Sequence, residues 1–162
     1  MLKILSFLIL IGVGFQLKPD SVILFHENGK KWIECNIDGG ILEGKAKIYD
    51  LEENLIFEGQ FSQGMPVDTA ILDLTFRKEI WIYEDSLNYI NYLFYGDTLG
   101  AIRHFENGFH TYDLFVNKTS ADTSKVVSPS RIYIDPMDLD GFKKLSYGLM
   151  SEIEMEKDLN NY

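Results

Sequence analysis

Apolar and polar residues alternate over short runs along most of the chain, and the runs end at regular intervals in small or polar residues. From Lys31 to Ile37, the residues Ile33, Cys35 and Ile37 fall on one side of an extended chain, because successive side chains of a strand point to opposite faces. Glu79 to Tyr83, Asn88 to Tyr95, Gly100 to Phe105 and Phe109 to Val116 are rich in β-branched and aromatic residues, which suits strands. Asn28-Gly29 and Asn107-Gly108 each lie between two such runs. They predict type I′ hairpin turns, whose two central residues both need positive φ. After Asp140 the period changes. Phe142, Leu145, Leu149 and Ile153 are spaced by three and four, which predicts an amphipathic helix with Asp138 or Asp140 as its N-cap.

The runs repeat. Ile37, Phe61, Tyr83 and Phe105 each precede polar residues and a glycine or serine, at steps of 24, 22 and 22. A second series, Phe25, Tyr49, Asp73 and Tyr95, falls halfway between them. A turn every 11 or 12 residues leaves strands that pair only with their sequence neighbours. The expectation is a mainly β fold: an antiparallel meander that grows by one hairpin per repeat into a twisted single sheet, with the helix at its C-terminal end.

Glu43-Gly44-Lys45-Ala46-Lys47-Ile48-Tyr49-Asp50 and Leu55-Ile56-Phe57-Glu58-Gly59-Gln60-Phe61-Ser62-Gln63-Gly64-Met65-Pro66 resemble the bacterial variant of the MORN repeat. Phe25-His26-Glu27-Asn28-Gly29-Lys30 is similar to that family's turn, and Tyr95 to Gly108 resembles a weaker copy. The resemblance covers residues 22–68 well, 80–117 loosely and 118–162 not at all. Cys35 and Arg103 stand at places where the pattern has glycine, and Asp73 replaces an aromatic. The resemblance implies a solenoid of hairpins acting as a binding or assembly scaffold. Some family members are antitoxin components and others are exported.

The N-terminus carries one charge, Lys3, then the apolar run Ile4 to Ile11, then Gly12-Val13-Gly14. That is the layout of a secretory signal peptide cleaved after Gly14, and the run is shorter than the ~20 residues of a membrane span. The expected organisation is a signal over 1–17, a repeat domain over 18–117, a polar linker over 118–130, and a last strand with a capping helix over 131–162.

Composition narrows the function. Of the 162 residues, 46% are hydrophobic and 14% aromatic, enough for a core and too many for a disordered chain. The net charge of −10 argues against binding nucleic acid or anionic lipid, both of which call for cations. The single cysteine, Cys35, permits neither an internal disulfide nor a cysteine-based zinc site. No phosphate-binding loop, HExxH pair or nucleophile elbow is present. With Phe105 opposite His110 and His104 opposite Thr111, the two histidines point to opposite sides of the sheet and cannot share an ion. Asp135, Asp138 and Asp140 lack the spacing of a calcium loop. No cofactor, metal or catalytic residue is expected.

What remains is aromatic surface. A single-layer sheet cannot bury both of its faces, so Phe25, Trp32, Tyr49, Trp81 and Tyr95 become candidates for an exposed binding face. In the first hairpin, Phe25 and Trp32 are expected to pair on the face opposite Leu24, Ile33 and Cys35. The sequence thus points to an exported, non-enzymatic β-repeat scaffold that binds another protein through its sheet. Self-association through a sheet edge is possible. The alternative is a cytosolic antitoxin-like protein that neutralises a partner toxin by contact. An enzyme acting on envelope polymers would instead need two carboxylates close together on one face.

Overall fold

The computed structural model describes residues 19–116, 121–125 and 135–159. The proposed signal peptide and the candidate strand over 131–134 lie outside them. Ten strands form one antiparallel sheet in sequence order: β1 (Asp20–Phe25), β2 (Lys31–Asp38), β3 (Ile41–Tyr49), β4 (Leu55–Ser62), β5 (Met65–Asp73), β6 (Arg77–Tyr83), β7 (Tyr89–Tyr95), β8 (Thr98–Glu106), β9 (Phe109–Val116) and β10 (Ala121–Lys125). One helix, α1 (Leu139–Leu159), follows. The sheet is the expected meander, and the repeat anchors explain its regularity. Ile37, Phe61, Tyr83 and Phe105 close alternate strands at one end of the sheet, while Phe25, Tyr49, Asp73 and Tyr95 close the others at the opposite end.

The turns separate by chemistry. Asn107-Gly108 has φ of 53° and 77°, the two positive values of a type I′ turn, and Gln63-Gly64 and Gly39-Gly40 repeat that signature. Asn28-Gly29 does not. Only Gly29 is left-handed, at 80°, and the loop closes from the His26 amide to the Lys30 carbonyl at 2.9 Å. This longer loop puts a bulge into the first hairpin, so Phe25 lies opposite Lys31 and not Trp32. A second correction concerns residues 118–130. Within that stretch Ala121–Lys125 is a strand, paired with β9 from Ala121↔Val116 to Lys125↔Tyr112. An edge strand needs only main-chain bonds, so a polar composition that reads as linker is compatible with one.

The helix starts where expected. Asp138 is its N-cap: Oδ1 accepts from the Gly141 amide at 2.7 Å and the carbonyl accepts from the Phe142 amide at 3.0 Å. Its position is different from the expected edge cap. It lies across one face of the sheet, where Phe142 and Leu149 join Ile33, Leu42, Ile48, Phe57, Phe61 and Leu72 in the core. The Phe142 ring stands edge-on to Phe57 and Phe61, at centroid distances of 5.8 and 6.1 Å. An edge position would have left those strand side chains in water, and their apolar area outweighs the few main-chain groups of an edge. Trp32 Nε1 donates to Ser146 Oγ at 2.6 Å, and Arg77 Nη2 lies 2.8 Å from Glu152 Oε2. The helix thereby ties β2 and β6 together.

Beyond the helix the same face carries a ladder of rings. Tyr83 contacts Tyr89 at 5.0 Å, Tyr89 stacks on Phe105 at 4.2 Å, and Phe105 on His110 at 4.8 Å. Burial pushes the Tyr89 phenol up to about 12, and burial followed by the Tyr89 charge raises Tyr83 further. An unfolded tyrosine ionises near ~10. The fold therefore keeps both protons through a range in which the unfolded chain loses them. The contribution of these two phenols is undiminished below pH ~10 and is lost as pH climbs toward 12. Urea midpoints measured across that range should decline, and Tyr89→Phe should flatten the decline.

Candidate functional site

The face of the sheet away from α1 has no cover among the described residues. Strand alternation and register place two rows of side chains there. The first crosses five strands, Ile71–Ile80–Tyr92–Ile102–Leu114. The second is Ile82–Ile90–His104–Tyr112, with the His104 and Tyr112 rings stacked at 4.1 Å. These positions alternate with Leu72, Trp81, Leu93 and Ala101 of the helix-bearing face. Ile82 is 47% exposed, and the other members of both rows are half-buried by their neighbours alone.

The β2–β4 part of the same face is charged. Lys31 Nζ lies 3.1 Å from Glu34 Oε2, Lys45 Nζ 2.9 Å from Glu58 Oε1, and Lys47 Nζ 3.9 Å from Glu58 Oε2. The hydrogen bond from Lys31, reinforced by the Tyr49 hydroxyl donating at 3.0 Å, holds the Glu34 carboxyl below the usual carboxylate range. The same carboxylate raises Lys31. Burial, then Glu34, raises the Tyr49 phenol. On this part of the face three lysines share two glutamates, so its charges are paired with one another.

The strand ends that flank the rows are acidic. Asp68, Glu84, Asp85 and Glu106 lie at one end of β5–β9, and Asp97 at the other. Amide donors hold Asp85 below its ordinary range, the Asn88 side chain foremost. The neighbouring cation Lys78 is bound to Asp73 at 2.9 Å.

The five aromatic candidates divide between the faces. Tyr49 is on the open face, with its hydroxyl engaged by Glu34. Trp32 packs against α1, its ring 5.1 Å from Tyr147. The bulge at Leu24/Phe25 sets it there, on the side of Ile33 and opposite to the expected one. Trp81 also packs toward the core, beside Phe61 and Leu145 in an apolar cavity of about 270 Å³ under the helix. Phe25 and Tyr95 are 60% and 58% exposed at the turn end of the sheet. They are separate from one another and from both rows. The histidines do point to opposite faces, through a bulge that sets His104 opposite Tyr112 and not Thr111. His110 Nε2 lies 2.7 Å from Asp113 Oδ1. Among the described residues no group of three or more metal-ligating side chains converges.

Sequence reasoning weighed aromatics and overlooked isoleucines. The signal was Ile80-Trp81-Ile82-Tyr83, a strand without alternation. A strand that is apolar in both phases is apolar on both faces, and among the described residues only one face has a helix. Among the described residues no helix is long and apolar enough to cross a membrane. No protein-family model matches the chain, and neither does any curated protein or solved structure.

Proposed function

We propose that this chain is an exported, non-enzymatic β-repeat scaffold that binds another protein through its open sheet face. The observation that supports this most is the pair of rows, one crossing β5–β9 and one β6–β9, that nothing covers among the described residues. A contiguous apolar surface on a soluble chain marks an interaction site. The charged part of the same face offers little for catalysis. Its carboxylates are lysine-bound, and Glu34 is shifted down, whereas a general acid needs its pKa raised. Export is proposed on the Met1–Gly14 pattern, and the resemblance to MORN-type repeats is in keeping with a scaffold.

A photo-crosslinking residue at position 80, in the native cell, tests the binding role. One discrete heavier species is expected from position 80 and none from position 58 on the charged part of the face. Absence of any product at 80 would overturn the proposal. Intact mass from fractionated cells tests export: loss of residues 1–14 with recovery outside the cytoplasm is expected. A full-length cytosolic chain crosslinked to one partner would favour the antitoxin-like alternative.

A further inference from the structure

We infer that the occupant of the open face is an amphipathic helix of a partner protein, with an apolar ridge flanked by lysines or arginines. This rests on the protein-binding reading above and adds the chemistry of the partner. The apolar rows run across the strands. Five strands at ~4.8 Å spacing make a stripe of ~19 Å, the length of about 13 residues of helix. The opposite face shows what fits a surface of this shape, because α1 covers its apolar positions.

Charge selects among helices. Glu84, Asp85, Glu106 and Asp97 border the stripe, and none of the four takes part in an ion pair among the described residues. Arg77 and Arg103 are both turned to the other face, and Arg77 is bound there to Glu79 and Glu152. A ridge with cations on both flanks would meet carboxylates on both sides, which steers association and penalises acidic competitors. A second copy of this chain would set acidic rim against acidic rim, with a net charge of −10 on each. Anionic lipid would be repelled in the same way. A strand added at β1 or β10 would leave the stripe uncovered.

Two designed 16-residue helical peptides with identical leucine ridges, one lysine-flanked and one glutamate-flanked, test the inference by NMR titration of the labelled full-length protein. The lysine peptide is expected to bind at least about tenfold more tightly, the sum of several rim contacts, with shifts centred on Ile80 and Ile102. Ile80→Ser should abolish those shifts, and the triple variant E84Q/D85Q/E106Q should narrow the gap between the peptides. Equal affinities would overturn the inference. Shifts confined to the acidic turns and indifferent to Ile80→Ser would also overturn it, as would a face-to-face dimer in gel filtration. The segment crosslinked from position 80 in cells separates the two levels. An acidic or uncharged partner segment refutes the charge inference and leaves protein binding standing, whereas absence of a crosslinked protein refutes the binding itself.

Discussion

Phe142→Ala should destabilise the protein by about 3–5 kcal/mol, the range for emptying a buried aromatic site. Phe142 has no exposed surface. Its ring is the contact between α1 and the β4 aromatics Phe57 and Phe61, so truncation leaves a hole that neither strand can close. For a chain of this size the melting temperature should fall on the order of 10 °C. Urea denaturation with unchanged m would show that stability, and not the unfolded state, has changed. A loss below ~1 kcal/mol would mean that α1 is not what covers this face. Met155, 60% exposed on the same helix, is the control: its replacement by alanine should cost little.

Gly64→Ala is the second large effect. The Gly64 amide donates to the Leu42 carbonyl at 2.9 Å, the Met137 amide to the Gly64 carbonyl at 2.8 Å, and the Leu42 amide to the Met137 carbonyl at 2.9 Å. These three bonds fasten the approach to α1 onto the neighbouring β2–β3 and β4–β5 turns. A Cβ on Gly64 would lie 2.8 Å from Met137 N and 2.9 Å from Pro136 Cβ, with φ at +77°. The left-handed backbone costs roughly 1–2 kcal/mol and the clash adds about 1–3. Gly40 is also left-handed, but a Cβ there meets nothing within 4 Å, so Gly40→Ala should show the backbone cost alone. The difference between the two variants, read from urea midpoints, isolates the fastening. Equal losses would show that the Met137 contact contributes nothing.

The fold was legible because its information is local. Strand, turn and repeat all lie within about two dozen residues of one another, and Asp138 announces the helix in the same way. The placement of Trp32 was not legible. It depends on one extra residue in a loop, and a bulge moves a side chain to the other face without any change in composition. The position of α1 was hidden for another reason: helix periodicity identifies an apolar stripe but not the surface that receives it. The open face was readable in principle, from Ile80 and Ile82 flanking Trp81, yet aromatic residues drew the inference because they dominate known interfaces. The acidic rim could not be found from net charge, since it depends on which turns share an end of the sheet.

The bond between Trp32 and Ser146 spans 114 residues, whereas every strand pairs with its immediate predecessor. During synthesis β1 to β9 can therefore assemble hairpin by hairpin as they emerge, but the element that seals Ile33, Ile48 and Phe57 is made last. Through that interval the nascent chain presents two apolar faces and not one, and a chain halted before residue 142 would be the species most in need of a chaperone.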